Sequence, residues 1–488
     1  MGLIAALLSR TESDVSAHLL RMLRSASPGR GDGYGVATPE GARTYTSLPV
    51  SLDFGSGVML GHKLIKVMPN DPPQPVIQHG HAMIFEGRLW GSPAPSDISA
   101  AADLVGPDPA RGIRQLVAEE NGSYVAAAAE RGRILCGRDP VGVVPVYFGE
   151  TEALVGVASN RKMLWSVGVE VEPLPPGCIA EITKGGVRLH RVRRLRQPPV
   201  RSVSMEEAVE ELDALLREAV EARCRGVFSA SLGFSGGIDS SLLAHYLDRC
   251  GVKVDLVCVG LEGSAEFEAA DSAAESLGLP IRIESFSPKD VGEDLDAVLR
   301  SVEEPDPMKV SVALPLYWAV RSVARRGGRV FYSGNGSDEL FGGYLRYVRE
   351  YASSGEAARE AMFRDVAAAH EVNYERDHKV CADAEVELRL LFADLRLIEF
   401  GLSLPVGLKL SAEMGAPRKL LLRTLARRIG LSDAIASRRK RAVQYSTGVS
   451  RALKRLAKGD GTTLARYLAE RFERVKERYL DGRATSER

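Results

Sequence analysis

The chain has 488 residues, 45% hydrophobic and 26% charged, which suits two or three globular domains, each with its own core. Its formal net charge is +0, so no bulk field draws it to nucleic acid or an anionic membrane, and no apolar run approaches bilayer length. The six cysteines, at 136, 178, 224, 250, 258 and 381, form no CxxC pair; this argues against a zinc knuckle or a disulfide framework and suits a reducing cytoplasm.

The opening MGLIAALLSR lacks a basic n-region and a cleavage site, and reads as a strand instead of a signal peptide. Up to residue 195 the chain is rich in short strands and turns, with helices expected over 13–25 and 109–119. A basic, proline-containing stretch, 196–204, reads as a linker to a second domain over 205–455. There helices (205–223, 240–250, 266–277, 310–325) alternate with short β-rich runs (227–232, 253–261, 281–286, 329–332). Such alternation means βαβ units and a doubly wound parallel sheet. After Tyr344 the pattern is all-helical, and the charged tail, 456–488, reads as a solvated helix.

Two stretches carry chemistry. Phe234-Ser235-Gly236-Gly237-Ile238-Asp239-Ser240-Ser241 joins a strand to a helix through a glycine-rich turn. Backbone N–H groups and the helix dipole there favour an anion, and glycine lets phosphate oxygens come close. The hydroxyls of Ser235, Ser240 and Ser241 donate to phosphate or cap the helix, and Asp239 offers a hard oxygen to Mg²⁺. No Gly-Lys-Ser/Thr follows, so this is not a Walker loop. The second stretch, SGNGSDELFGGY from Ser333, also leaves a strand end. Asp338 is either a helix N-cap or the second carboxylate on the metal, facing Asp239.

SGGIDSS resembles the pyrophosphate loop of the N-type ATP pyrophosphatases, and with SGNGSDELFGGY it resembles the synthetase domain of the asparagine synthetase family. GRDPVGVVPVYFG, LPPG at Leu174–Gly177, RDHKVCADAEVELRLLFADLRLIEF, RKLLLR and RRKRAVQYSTGV resemble further family segments. The resemblance implies an N-terminal-nucleophile (Ntn-hydrolase-like, αββα) glutaminase sandwich over 1–195, followed by an ATP pyrophosphatase domain with a helical C-terminal part. It implies ATP contacts at Leu232, Ser235, Gly236, Gly237, Asp239, Ser240, Val259, Ser333 and Gly334, and Mg²⁺ on Asp239 and Asp338. It also implies Lys440 on the phosphates, with a surface lysine as the plain alternative, and Glu387 and Arg389 toward the substrate. The partners implied are a small carboxylate and ammonia or a substrate amine, and the resemblance leaves room for a homodimer.

Departures from the family pattern concentrate in the first domain. The family's nucleophile is a cysteine at the mature N-terminus; here removal of Met1 would expose Gly2, and no cysteine precedes Cys136. The oxyanion-hole Asn-Gly pair reads Glu86-Gly87, setting a carboxylate against a developing negative charge. Lys63, Leu64 and Lys66 stand where an arginine would hold the glutamine carboxylate. Asn335 replaces a Glu or Gln of the second loop, and DPMKVSVALPLY lacks the Thr-x-x-Arg placed near aspartate. The leading expectation is therefore an AMP-forming ligase, most simply making asparagine from aspartate and ammonia without glutamine hydrolysis. A β-lactam-synthetase-like cyclase and a non-catalytic nucleotide-binding scaffold are the alternatives.

Overall fold

A computed structural model describes residues 2–264, 266–438 and 446–480. The first strand, Gly2–Ser9, is buried along its whole length, and its period of two sorts its side chains between two cores. Leu3, Ala5 and Leu7 pack with Leu19, Met22 and Leu23 of the helix Ser16–Ser25. Ile4, Ala6 and Leu8 meet Ile84, Val125 and Ala127 of a second sheet. On that sheet's outer face, Met83 and Phe85 lie under the helices Asp97–Val105 and Pro109–Glu119. The result is helix, sheet, sheet, helix: a seven-stranded and a six-stranded sheet, each with antiparallel pairing, stacked face to face.

The helix Met205–Cys224 opens on a capping box formed by Ser204 and Glu207. It leads into a five-stranded sheet in the order Ile281–Phe286, Lys253–Leu261, Ser229–Gly233, Val330–Ser333, Glu387–Leu390, parallel throughout. The mixed α/β class expected from the alternation is the one observed.

Two expectations for the C-terminal part give way. Residues beyond Tyr344 are not all helical, because Glu387–Leu390 adds an edge strand whose charged residues are buried by ion pairing. Nor is the tail simply solvated. The helices Val449–Gly459 and Leu464–Leu480 set Leu453, Leu468 and Phe472 against Val298 and Trp318. Each helix has one narrow apolar stripe, easily lost among its charges. Among the described residues all six cysteines are unpaired, and no helix is long and apolar enough to cross a membrane.

Candidate active site

The two glycine-bearing loops leave neighbouring strands, Ser229–Gly233 and Val330–Ser333, at the point where strand order reverses. Open α/β sheets bind ligands in that crevice, at the carboxyl ends of the strands. Gly236 has φ +66°, and a Cβ there would stand 2.6 Å from the carbonyl of Ala269, so the turn needs glycine. A Cβ on Gly334 would lie 3.1 Å from the Cβ of Asp239, a measure of how closely the second loop approaches the first helix. That helix, Ile238–Arg249, begins at Gly237 without a side-chain cap. Ser240 Oγ instead donates back to the Gly237 carbonyl at 3.1 Å.

Asp239 and Asp338 converge on one cation, the ammonium of Lys419, which lies 2.6 Å from Asp239 Oδ2 and 2.8 Å from Asp338 Oδ1. Ser337 Oγ donates to the other oxygen of Asp239 at 2.7 Å. Beside this group opens a cavity of about 810 Å³, a volume typical of small-ligand sites. Of the residues expected at ATP, Ser235, Asp239, Ser240, Val259, Ser333 and Gly334 line it, and so does Asp338. Leu232 does not: its side chain is fully buried in the core of the parallel sheet. Gly236 and Gly237 shape the turn without lining the cavity, and Lys440 lies outside the described residues.

Farther along the cavity wall stand two further polar groups of the SGNGSDELFGGY stretch. Glu339 is buried, and its Oε1 accepts hydrogen bonds from Tyr344 Oη (2.6 Å) and Asn373 Nδ2 (2.9 Å). Burial first, and then the charge of Asp338, push its carboxyl pKa upward. Asn335 donates to Asp377 Oδ2 at 2.7 Å, which fixes its amide against the helix Glu375–Asp383.

Glu387 and Arg389, expected near the substrate, do not line this cavity. Glu387 starts its strand, at the amino edge of the sheet, and is bound by Arg88 Nη2 at 2.7 Å and Arg389 Nε at 2.6 Å. Burial alone would raise its pKa, but the guanidiniums of Arg389 and Arg88 hold it at about 2. Arg88 also pairs with Asp71 and Asp97, so the cluster ties the sandwich to the parallel sheet. Charge pairing across a buried interface holds both side chains in place.

The centre of the sandwich is filled. A Cβ on Gly2 would stand 2.1 Å from His62 Nε2, because His62 occupies the space a side chain at residue 2 would need. Glu86 is fully buried, accepts a hydrogen bond from Ser159 Oγ, and has its pKa pushed by burial to about 8. His378 lies 3.8 Å from its other oxygen, with a pKa lowered by burial to about 4. Burial thus favours the neutral form of Glu86, which weakens the expected conflict between a negative carboxylate and an oxyanion. Gly87, at φ +111°, is required by the sheet itself, since a Cβ would stand 2.0 Å from the carbonyl of Ser123. Lys63 is buried on Ser27 Oγ and 3.3 Å from Glu385, so it is not poised for a ligand.

Lys419 is the site residue that pattern reading missed. Its only signal was the RKLLLR segment, whose likeness to a family block carried no assigned role. Arg423 of the same segment holds the carbonyls of Arg418 and Arg438 at 2.5 and 2.8 Å.

A parallel sheet whose switch point gathers a glycine-rich turn, an uncapped helix start and a pair of carboxylates marks an α/β protein with a site for an anion and a cation together. The chain belongs to the asparagine synthase family, whose model matches residues 211–358 and 350–487. A chain of Methanocaldococcus jannaschii bearing the name of a glutamine-hydrolyzing asparagine synthetase is 29% identical over 396 residues, 70% of this chain and 72% of that one. The asparagine synthetase of Asparagus officinalis, also named as glutamine-hydrolyzing, is 27% identical over 62% of this chain, which spans only 52% of its length. Among solved structures, a glutamine phosphoribosylpyrophosphate amidotransferase from B. subtilis aligns over 58% of this chain and 65% of its own at 18% identity. The TM-score of that alignment is 0.34.

Proposed function

We propose that this chain is an ATP-dependent amide-forming ligase that activates a carboxylate as its adenylate, most simply aspartate, and takes its nitrogen from free ammonia. The observation that carries the reading is the meeting of Asp239 and Asp338, from two adjacent strand-end loops, on one cation beside the cavity. The triphosphate would lie against the turn at Ser235, Gly236 and Gly237 and the open start of the following helix, which favour negative charge.

The two carboxylates fit Mg²⁺ that arrives with nucleotide. Among the described residues no group of three or more His, Cys, Asp or Glu could hold a metal, so phosphate oxygens and water would complete the shell. When bound, the ion neutralises charge on the leaving pyrophosphate. The acceptor carboxylate attacks the α-phosphorus, the α–β bridging bond breaks, and ammonia then displaces AMP at the acyl carbon. Lys440 belongs to this proposal as a ligand of the phosphates.

Glutamine hydrolysis is not part of the reading, because residue 2 is glycine and His62 takes up the space a nucleophilic side chain there would need. The test is product analysis with ATP, aspartate and ammonium. AMP and pyrophosphate in step with asparagine are expected, and ADP with phosphate would sink the proposal.

A further inference from the structure

We infer that Lys419 is a built-in placeholder for the divalent cation. Its ammonium holds Asp239 and Asp338 together until phosphate oxygens draw it away, and only then does the carboxylate pair accept metal. The inference deepens the proposed function and rests on its assignment of the two aspartates to the metal.

The ammonium donates hydrogen bonds to Asp239 Oδ2 at 2.6 Å and to Ser337 Oγ at 3.1 Å, and forms an ion pair with Asp338 Oδ1 at 2.8 Å. Lys419 is 2% exposed, so these contacts form away from water. Its backbone has φ 59° and ψ 45°, left-handed values that a lysine adopts at a cost and keeps only where its surroundings impose them. The strain is held from both sides. Leu420 N donates to the Lys409 carbonyl at 2.7 Å, and Arg418 Nη1 to the Gly343 carbonyl at 2.7 Å. Gly343 makes room for the pair, since a Cβ there would stand 1.7 Å from Asp338 Oδ1 and 2.7 Å from Lys419 Cε. Strained backbone, burial and a glycine cleared for two side chains all serve one ammonium between two carboxylates.

The chemistry follows from competition for the same oxygens. Two adjacent, partly buried carboxylates repel unless a cation stands between them. A tethered ammonium is always present, whereas a divalent ion must shed water to replace it. Triphosphate changes the balance, because its oxygens offer the ammonium a new acceptor while bringing the metal.

Mn²⁺ binding by the full chain, followed by electron paramagnetic resonance without nucleotide, tests this. Lys419→Met is expected to bind Mn²⁺ at least about tenfold more tightly than wild type, and Lys419→Arg to bind as weakly as wild type. Equal affinities for wild type and Lys419→Met overturn the inference. Should Lys419→Met not fold, the wild-type chain decides by equilibrium dialysis. Protein-bound Mn²⁺ that appears only with pyrophosphate supports the placeholder, and the same binding with and without pyrophosphate overturns it. Failure of the proposed reaction would show separately, as no AMP from any carboxylate while the Mn²⁺ contrast persists.

Discussion

The centre of the sandwich and the cavity at the carboxyl edge of the parallel sheet both gather charged groups at or between strand ends, and they differ in what fills the middle. In the sandwich, His62 stands where a side chain on residue 2 would go, and Glu86 is neutralised by burial and closed in by Ser159. At the sheet edge, the carboxylates keep their charge partner in Lys419 and face about 810 Å³ of space. Burying a titratable group without a counter-charge switches it off; burying a pair around a cation keeps it available. One chain thus holds a closed-in sandwich centre and an open, charge-paired site at the sheet edge.

Four experiments press on that contrast, from the largest expected effect down. Asp239→Asn should lower AMP release by roughly 10²–10⁴-fold with little change in melting temperature. Unaltered turnover would mean that the carboxylate pair is structural.

Arg88→Ala, at the opposite edge of the sheet, should act on stability alone. Asp71 would remain buried without its guanidinium and Glu387 would keep only that of Arg389, costing about 3–5 kcal/mol in denaturant unfolding. AMP release per folded molecule should hold, and a selective loss of turnover would return Glu387 to the substrate.

Glu86→Gln probes the filled pocket through pH. A carboxyl whose pKa stands at about 8 when folded, against an ordinary value of 4.5, favours the fold most below the unfolded value, and loses that contribution as pH rises toward 8. The wild type should therefore lose about 2–4 kcal/mol between pH 5 and pH 8 relative to Glu86→Gln. Parallel stability curves for the two proteins would show that Glu86 is already ionised.

Gly2→Cys should cost about 1–3 kcal/mol of stability, because a side chain must push into His62 and the Lys63 carbonyl. It should release no glutamate from glutamine. Recovery of that activity from one substitution would mean that the pocket is vacant enough to work.

Much of this was legible in the sequence. The turn at 234–241 and the loop from Ser333 could be read because their glycines, hydroxyls and carboxylates are contiguous, and contiguous chemistry needs no fold to be recognised. The alternation of helical and β-rich runs determined the parallel sheet, since both periods are local. Tertiary structure alone decided the rest. Lys419 reaches Asp239 from 180 residues away. Glu387 and Arg389 carry a substrate-like motif, yet their strand begins at the amino edge, where Arg88 pairs with Glu387 and Glu387 with Arg389. Glu86 reads as a negative charge in any list of residues, and only full burial makes it neutral. Charge state, partner and exposure depend on what the rest of the chain brings within a few ångströms, and local pattern does not contain that information.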